Sequence, residues 1–301
     1  MNTLNRIPTI DDYLNVSAHP LRETGGCALN AKREYDSKCP FVTVITVVKN
    51  QKETLEQTIK SVLTQSYLNI EYIIVDGAST DGTLEIIKQF DDKINLWISE
   101  PDYGPSDAFN KAVSMAQGDF IFWLSSDDWI DPDFMEIVVQ MLLKSSVDFV
   151  FGDMVMYKNE GKPLRYKGDR DYAESLMSGY AYLSTPTIVA RRECYKKTGL
   201  QDIRYKLVAD YEWIQRLHSS GAVGLYDSSI IVHRRSGGVG ESNVIGSAIE
   251  HLKLLRQYGL PKAKAMTCYA NYLVRGIIGR LTKFLLPDII YKKLKRVVRG
   301  G

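Results

Sequence analysis

The sequence predicts an α/β fold built on a parallel sheet whose strands are joined by helical crossovers. Between residues 42 and 124, apolar β-branched runs alternate with segments of helical periodicity at a spacing of roughly 25 residues. The apolar runs are nearly continuous, as expected of strands that are buried on both faces of a sheet. This β-α-β-α-β-α-β order is typical of parallel sheets with helical crossovers.

The individual elements of this first half follow from local patterns. The first helix carries an apolar stripe on one face, formed by Leu55, Ile59, Val62 and Leu63. Asp131 followed by Pro132 predicts an N-cap and a first helical position for the last helix. The predicted strands are 42–48, 70–75, 94–99 and 119–124, and the predicted helices are 53–65, 83–90, 108–116 and 132–144.

Beyond residue 145 the alternation stops, and the elements are predicted one at a time. Over 147–157, the apolar residues predict two strands, and Gly152-Asp153 between them predicts a tight turn. The remaining predictions are a strand and short helix in 184–199, an amphipathic helix in 209–221, a strand in 224–238 and helices in 242–298.

Length and composition are those of a globular protein with one large domain and appendages. The chain has 301 residues, of which 45% are hydrophobic and 25% charged, with a formal net charge of +2. We expect an irregular N-terminal extension in 1–40, a catalytic domain in 41–240 and a helical basic segment in 241–301. No Cys-x-x-Cys pair occurs, so we expect reduced thiols in a cytosolic protein.

Polar clusters follow the predicted strands, at the edge where parallel sheets bind ligands. Lys49-Asn50 follows the first strand, Asp76-Gly77 the second, the sequence PDYG the third and Asp127-Asp128 the fourth. No P-loop or G-x-G-x-x-G motif is present. Two adjacent carboxylates can instead hold a divalent cation whose other ligands are phosphates. Helix capping does not explain the doublet, because Asp131 already supplies the predicted cap.

Two longer stretches resemble a known family of enzymes. They are TVITVVKNQKETLEQTIKSVLTQSYLNIEYIIVDGASTDGT and ISEPDYGPSDAFNKAVSMAQGDFIFWLSSDD. Over residues 41 to about 238 the chain resembles the nucleotide-sugar-dependent glycosyltransferases of family 2. The resemblance implies a GT-A fold, with a Rossmann-like, mostly parallel sheet, helices on both faces and here a helical C-terminal appendage. It also implies inverting transfer from a nucleotide diphosphate, often UDP, assisted by Mn²⁺ or Mg²⁺.

The resemblance assigns roles to residues at the strand ends. Asp127 and Asp128 match the metal motif D-x-D, in which Ser126 replaces the first Asp. The implied nucleotide-binding residues are Val48, Asn50, Asp76 and Asp127, and the implied metal ligands are Asp128 and His233. The implied contacts to the donor sugar and diphosphate are Asp102, Asn110, Lys111, Arg234 and Arg235. Two alternatives remain, namely a solvated Lys111 and a structural His233.

The family's catalytic base corresponds to the sequence VADYEW. Asp210 and Glu212 lie two residues apart, about 200° around a helix, so only one can face the site. We assign Asp210 as the base that deprotonates the acceptor hydroxyl, and Trp213 and Glu212 as acceptor contacts. The structural alternatives are an N-cap role for Asp210 and a core position for Trp213.

The C-terminal tail is basic and amphipathic. Residues 272–301 contain eight Lys or Arg and one acid, Asp288, so they carry +7 while residues 1–271 carry −5. Such a segment can lie at a membrane interface. We expect a cytoplasmic protein bound peripherally to the inner face of the cell membrane, with no spanning helix and no nucleic-acid partner.

These observations predict an enzyme of the hexosyl- or N-acetylhexosaminyltransferase type. It would move a sugar from a nucleotide-diphosphate donor to a saccharide or lipid-linked saccharide in surface polysaccharide synthesis. The resemblance implies a UDP-sugar as this donor. Two other functions remain open at this point. One is a sugar nucleotidyltransferase, and the other is a non-catalytic nucleotide-sugar-binding or scaffold protein.

Overall fold

A computed structural model describes residues 6–14, 18–29, 39–158, 162–178, 185–236 and 243–285. Its strands are β1 (Glu23–Gly25), β2 (Val42–Val48), β3 (Ile70–Asp76), β4 (Leu96–Ser99), β5 (Phe120–Trp123), β6 (Asp128–Ile130), β7 (Phe149–Tyr157), β8 (Leu164–Tyr166), β9 (Val189–Arg191) and β10 (Gly224–Arg235). Its α-helices are α1 (Ile10–Leu14), α2 (Leu55–Leu63), α3 (Thr83–Gln89), α4 (Pro105–Met115), α5 (Phe134–Lys144), α6 (Tyr172–Ser178), α7 (Arg192–Thr198), α8 (Ala209–Ser219), α9 (Val244–Gln257) and α10 (Lys262–Leu285).

The described strands form one mixed sheet in the order β1-β4-β3-β2-β5-β9-β7-β10-β6, with β8 paired to β7. The block β4-β3-β2-β5 is parallel, as predicted. Strands β7 and β10 also pair in parallel, and the short strands β1, β6, β8 and β9 add antiparallel pairs that make the sheet mixed. These four strands have three residues each, too few to show a periodicity in the sequence.

The parallel block forms the centre of the core. Every residue of β2 and β3 is buried, which explains their continuous apolar composition. Helix α2 packs the predicted apolar stripe onto the sheet through Leu55, Ile59 and Val62, all at most 3% exposed. The alternation of buried strands and one-sided helices therefore identified this half of the fold correctly.

Strand β7 runs unbroken where a strand, turn and strand were predicted. The pair Gly152-Asp153 suggested a turn, but Gly152 stays in the sheet and its amide donates to Thr187 Oγ1 at 3.0 Å. The carbonyl of Ile230 approaches so closely that a Cβ at Gly152 would have no room. The glycine therefore serves close backbone packing rather than chain reversal.

The N-terminal stretch, expected to be irregular, contributes regular structure. Strand β1 pairs antiparallel with β4 and extends the sheet at that edge. Helix α1 buries Tyr13, whose hydroxyl donates to Asp107 Oδ1 at 2.9 Å. Such short elements leave no periodic pattern in a sequence, and tertiary pairing creates them.

An ion-pair network fixes this N-terminal stretch to the end of β4. Glu100 is 2% exposed, and its carboxylate lies 2.7 Å from Arg22 Nε and 2.9 Å from Lys111 Nζ. Burial alone would raise the pKa of Glu100, but the hydrogen bonds from Arg22 and Lys111 outweigh it and lower the pKa to about 2. The carboxylate is therefore a structural anion at the beginning of the PDYG loop.

The chain divides into two compact units. The first comprises Met1–Tyr172 with Tyr182–Ser236, and the second comprises Ala173–Ala181 with Gly237–Gly301. In the second unit, α9 and α10 pack through a small apolar cluster formed by Leu255, Ala265 and Cys268. Among the described helices, none is long and apolar enough to cross a membrane. The four cysteines carry free thiols.

The substitution Glu100→Gln is expected to lower the free energy of unfolding by about 2 kcal/mol or more at pH 7, because it removes the buried counter-charge of Arg22 and one of the two carboxylates that contact Lys111. Urea denaturation measures this loss. The matched control is Glu56→Gln, which removes an exposed pair with Lys60 and should cost less than about 0.5 kcal/mol.

The same pair of variants gives a pH test. Because the pKa of Glu100 is lowered on folding, its contribution is complete above the ordinary value of 4.5 and is lost as the pH falls towards about 2. The stability difference between wild type and Glu100→Gln should therefore shrink below pH 4.5. A difference that stays constant down to pH 3 would contradict a buried, ion-paired carboxylate.

Candidate functional site at the carboxyl edge of the sheet

The parallel strands bring the predicted polar clusters to one edge of the sheet. The chain leaves β2 at Val48, and the amide of Gly77 donates to its carbonyl at 2.9 Å. In the same way the amide of Glu100 donates to the carbonyl of Asp76 at 3.0 Å. The loops after β2, β3 and β4 are thus in direct contact, as the sequence predicted.

Asp76 organises the loop after β3. Its carboxylate is fully buried and accepts hydrogen bonds from the Ser79 amide at 3.0 Å, from the Ser79 hydroxyl, and from Ser99 Oγ at 2.6 Å. Asn50, exposed and at a φ of 52°, joins the same loop by accepting from the Thr80 amide at 2.9 Å. These contacts shape the loop, while the nucleotide-binding roles of Asp76, Asn50 and Val48 stay predictions.

Asp128 is the chemically unusual group at this edge. Its side chain is fully buried, and neither carboxylate oxygen has a hydrogen-bond partner among the described residues. Burial, followed by the neighbouring charge of Asp127, raises the pKa of Asp128 well above its ordinary value. Arg234, which lies opposite in the antiparallel register of β6 and β10, opposes this shift, as does the nearby Ser125 hydroxyl. Because Ser125 does not meet hydrogen-bond geometry, it leaves the carboxylate oxygens incompletely satisfied. Arg234 Nε is also buried without a hydrogen-bond partner in the described part of the chain.

This arrangement fits a divalent cation that brings ligands of its own. A buried carboxylate without a partner is costly unless a positive charge satisfies it. Asp127, half-buried beside it, supplies a second set of hard oxygen atoms. Within the described ranges no three His, Cys, Asp or Glu side chains surround a common position. The residues therefore fit a cation held by one or two carboxylates together with the phosphates of a substrate.

His233 does not join this group. In the register of β6 and β10 it lies opposite Trp129, one residue away from the pair Asp128 and Arg234, so it projects from the other face of the strand. Its Nε2 is 3.1 Å from Asp131 Oδ2, and its Nδ1 is 3.1 Å from the hydroxyl of Tyr157. Both ring nitrogens have partners in this arrangement, so it gives the metal-ligand role of His233 no support, and that role stays a prediction.

Two further details on that face differ from expectation. The guanidinium of Arg235 lies 5.4 Å over the Trp129 ring and donates to Gln57, which directs it away from Asp128. Asp131 binds His233 instead of capping a helix, and α5 begins only at Phe134. Gln65 performs the capping role, since its Oε1 accepts from the Met135 amide at 3.0 Å.

Three of the five predicted donor contacts follow β4, and two of these, Asn110 and Lys111, are engaged with other parts of the protein. Asp102 packs against Gly77 at the strand edge and accepts from the Gly104 amide at 2.9 Å. Asn110 is fully buried, and its amide group bonds the Gln201 backbone at 2.8 and 2.9 Å. Lys111 is neither solvated nor free, because it is paired with Glu100. Donor contacts by Asn110 and Lys111 are therefore not supported.

Asp210 lies in the first turn of α8. The helix begins at Ala209 and its N-cap is Val208, so Asp210 is not the cap. Its Oδ2 accepts a hydrogen bond from Thr185 Oγ1 at 2.6 Å, and its Oδ1 accepts from the Tyr211 amide at 2.8 Å. The side chain is half-buried and oriented by a neutral hydroxyl, an arrangement compatible with a general base.

The two predicted acceptor contacts belong to the core. Glu212 is fully buried and forms a two-pronged ion pair with Arg216, at 3.1 and 2.7 Å. Trp213 is 3% exposed, donates to the carbonyl of Gly199 and stacks on Tyr195 with ring centroids 4.3 Å apart. These positions give the acceptor roles of Glu212 and Trp213 no support, and the roles stay predictions. Asp210 and Glu212 point in different directions from α8, as their spacing of two residues requires.

Sequence reasoning missed Thr185 as the partner of Asp210. The two residues are 25 positions apart and lie on different elements, a short 3-10 turn and α8. A neutral hydroxyl has no charge pattern that would mark such a pair. Arg234 was named as a diphosphate contact, but its position opposite Asp128 could not be predicted, because that position depends on strand register.

The chain is similar in sequence and in fold to known glycosyltransferases. Residues 43–203, more than half of the chain, match the family model described as glycosyl transferase family 2. Glycosyltransferase GlyA of Streptococcus pneumoniae is 25% identical over 280 residues, which cover 84% of this chain and 40% of that protein. The chain therefore spans less than half the length of this curated relative.

A second relative is matched over almost its full length. The UDP-Glc:alpha-D-GlcNAc-diphosphoundecaprenol beta-1,3-glucosyltransferase WfaP of Escherichia coli is 26% identical over 246 residues, covering 79% of this chain and 94% of that protein. Among solved structures, mannosyltransferase PcManGT from Pyrobaculum calidifontis, in complex with GDP-Man and Mn²⁺, gives a TM-score of 0.58 at 17% identity. The match covers 89% of this chain and 88% of the PcManGT chain, and it confirms the predicted GT-A fold.

The substitution Asp128→Asn is expected to raise the free energy of unfolding of the metal-free protein by about 1 kcal/mol or more. Burying a neutral amide costs less than burying an unpaired carboxylate. Urea denaturation in the presence of a chelator measures the change. The control Asp133→Asn alters an exposed acid that makes no capping hydrogen bond and should change stability by less than about 0.5 kcal/mol. A destabilised Asp128→Asn variant would contradict the unpaired state of Asp128.

Proposed function

The chain belongs to glycosyl transferase family 2, and from this premise we propose that it is an inverting glycosyltransferase. It transfers a sugar from a nucleotide-diphosphate donor, a UDP-sugar in the first instance, to a hydroxyl of a saccharide or lipid-linked saccharide. The transferred sugar is a hexose or N-acetylhexosamine, and the product is a precursor of a surface polysaccharide. The name of the E. coli relative, a UDP-glucose-dependent enzyme with a lipid-diphosphate acceptor, supports this substrate class.

The observation that carries the proposal is the unsatisfied, buried carboxylate of Asp128 at the carboxyl edge of the sheet. This edge is where α/β proteins bind nucleotides. Strain of this kind is retained where a ligand relieves it. Asp128 would hold Mn²⁺ or Mg²⁺, and Asp127 would contact the ribose or a water molecule of the metal. The bound cation would supply positive charge for the departing diphosphate.

The other proposed contacts to the donor are inferred from where residues lie at the carboxyl edge of the sheet. The backbone of Val48 and Asn50 and the loop formed around Asp76 would enclose the base of the nucleotide. Arg234 lies on the face of Asp128, and its buried Nε has no hydrogen-bond partner among the described residues, so it can neutralise a phosphate oxygen. Charge neutralisation matters because the leaving nucleotide departs with two negative charges.

Asp210 would accept the proton from the acceptor hydroxyl as that oxygen attacks the anomeric carbon. Thr185 holds Oδ2 by a hydrogen bond of 2.6 Å, which fixes the orientation of the carboxylate. A positioned carboxylate typically contributes a factor of about 10² to 10⁴ to such a reaction. Inversion requires this base on the side of the sugar opposite to the leaving diphosphate.

The acceptor side of the proposal includes the membrane. A lipid-linked acceptor lies at a lipid surface, and the basic segment predicted to bind there includes residues 286–301, which lie outside the described residues. Each Lys or Arg near an anionic lipid surface contributes about 1 kcal/mol. We therefore place the enzyme at the cytoplasmic leaflet as a peripheral protein.

Release of the nucleotide from a panel of sugar nucleotides, with Mn²⁺ and acceptor, tests the proposed activity. Asp128→Asn is expected to lower kcat/KM by about 10² or more because the metal site is weakened. Asp210→Asn is expected to lower kcat by about 10² to 10⁴ with little change in the KM for the donor, because the base acts in the transition state.

The control for both variants is Asp133→Asn, an exposed acid of the same type outside the site. Full activity of Asp210→Asn would contradict its assignment as the base. Wild-type protein that binds sugar nucleotides without turnover would favour a binding or scaffold role. Formation of a sugar nucleotide from a sugar phosphate and a nucleoside triphosphate would favour a nucleotidyltransferase.

Membrane association is measured by sedimentation with phosphatidylcholine vesicles that contain about one third phosphatidylglycerol. Replacing four tail cations by Gln should weaken binding by more than about tenfold; these are Lys292, Lys293, Lys295 and Arg296. The matched control replaces four exposed lysines of the first unit by Gln, namely Lys60, Lys88, Lys196 and Lys197. Equal loss in both quadruple variants would contradict a specific role of the tail.

A further inference from the structure

A cavity lies beside β7, outside the donor site described above. Its volume is about 510 Å³ and its walls include three basic side chains, Arg165, Lys167 and Arg170. Asp153, Tyr226 and Ser228 also line it. None of these residues belongs to the set that the family resemblance assigned, so the composition of the cavity needs a separate explanation.

Among the described residues that line the cavity, Asp153 is the one acid, and its charge is already neutralised. Asp153 is fully buried, and its carboxylate accepts from Arg165 Nε at 2.6 Å, from the Gly168 amide at 3.0 Å and from the Tyr226 hydroxyl at 2.7 Å. Burial, then the hydrogen bond to Asp153, raises the pKa of Tyr226 to about 12, so this phenol stays a donor. The carboxylate and Arg165 therefore cancel each other's charge.

Two positive charges remain in the wall. Neither Lys167 nor Arg170 forms an ion pair with another described residue, and the Arg170 guanidinium lies 5.5 Å over the Tyr226 ring. Asp169 and Asp171 flank Arg170 in the chain, but neither lines the cavity. The lining therefore carries a net charge of +2 and presents one planar guanidinium, the group best suited to phosphate oxygens.

The cavity lies at the same edge of the sheet as the donor site. Strand β9 pairs antiparallel with both β5 and β7, so Phe122 and Val150 lie at the same level opposite Val189. Asp153, three residues beyond Val150, therefore lies past the level at which β5 ends at Trp123. The cavity opens where the ligands of such sheets bind.

A short chain of contacts connects the cavity to the base. Gly152, next to Asp153, donates its amide to Thr187 Oγ1 at 3.0 Å. Thr187 ends the 3-10 turn that begins at Thr185, and Thr185 holds Asp210 at 2.6 Å. The strand that forms the cavity floor and the turn that orients the base are thus parts of one packed unit.

We propose that this cavity binds a phosphate group of the acceptor and thereby presents the acceptor hydroxyl to Asp210. The inference rests on the proposed function, since an acceptor exists only if the protein is a transferase. A neutral saccharide would leave Lys167 and Arg170 partly desolvated without compensation, whereas a phosphate provides charge-assisted hydrogen bonds. A space of about 510 Å³ also exceeds a single phosphate and leaves room for the adjoining sugar.

Calorimetric titration with N-acetylglucosamine 1-phosphate tests the proposal without relying on turnover. The full-length protein is first saturated with UDP and Mg²⁺, so that the probe does not occupy the nucleotide site. The wild type is expected to bind this probe at least about tenfold more tightly than N-acetylglucosamine, because charge-assisted hydrogen bonds to phosphate are lost with the neutral sugar. Equal binding of the two sugars, or no binding of the phosphate, would overturn the proposal.

Substitutions in the cavity wall test whether the sugar phosphate binds there. The double variant Lys167→Gln, Arg170→Gln should lose about tenfold or more in affinity for the sugar phosphate, since both unpaired cations are removed. The control Lys196→Gln removes one exposed cation that is paired on the surface of α7 and should bind like the wild type. Thermal unfolding of each variant establishes that it is folded. Unchanged affinity of the folded double variant would refute this location.

Two further measurements separate this inference from the proposed function. Nucleotide release by the wild type is followed on the same preparation, and its absence with every donor would contradict the transferase while leaving the binding result intact. The probe is then compared with a geranyl-diphosphate-linked N-acetylglucosamine. Tighter binding of the linked form identifies a lipid-diphosphate acceptor, and equal binding identifies a free sugar phosphate; both results support a phosphate site.

Discussion

The buried carboxylate of Asp128 is the group on which the geometry of the site depends. A charge that no donor satisfies is destabilising, so the surrounding structure must hold it rigidly to keep it there. Two features do so: Thr58 Oγ1 donates to the Asp128 carbonyl at 2.7 Å, and the pairing of β6 with β10 sets Arg234 opposite. The sheet edge thereby presents a carboxylate and a guanidinium group, both in fixed positions, to a ligand that carries a cation and phosphates.

Other buried acids of the chain show what distinguishes this one. Glu100, Asp153 and Glu212 are all at most 2% exposed, and each is paired with an arginine. These ion pairs join distant parts of the chain or support a helix. In each pair the arginine neutralises the charge of the carboxylate. Burial alone therefore does not indicate function in this protein. A buried acid whose oxygens lack donors is the better indicator, and among these four only Asp128 has that property.

The parallel half of the fold was predictable because continuous apolar runs and helical stripes are local properties of the sequence. The site was only partly predictable, because a matched motif fixes a residue along the chain but not the face on which it projects. His233 illustrates the limit: a shift of one residue in the register of β6 and β10 would have placed it beside Asp128. The contacts of Asn110 and Trp213 were unpredictable for a related reason, since their partners, Gln201 and Gly199, come from a loop without periodicity.

Helix α8 shows how one element separates structural from chemical carboxylates. Glu212 faces inwards and is held by two hydrogen bonds from Arg216, which also binds the carbonyl of Leu200 at 2.8 Å. An ion-paired carboxylate is a poor proton acceptor, because the cation stabilises its charged form. Asp210, two residues earlier, forms no ion pair among the described residues and is oriented by Thr185 instead. A neutral donor can fix the direction of a base while leaving it able to take a proton, and this is the property that the attack of an acceptor hydroxyl requires.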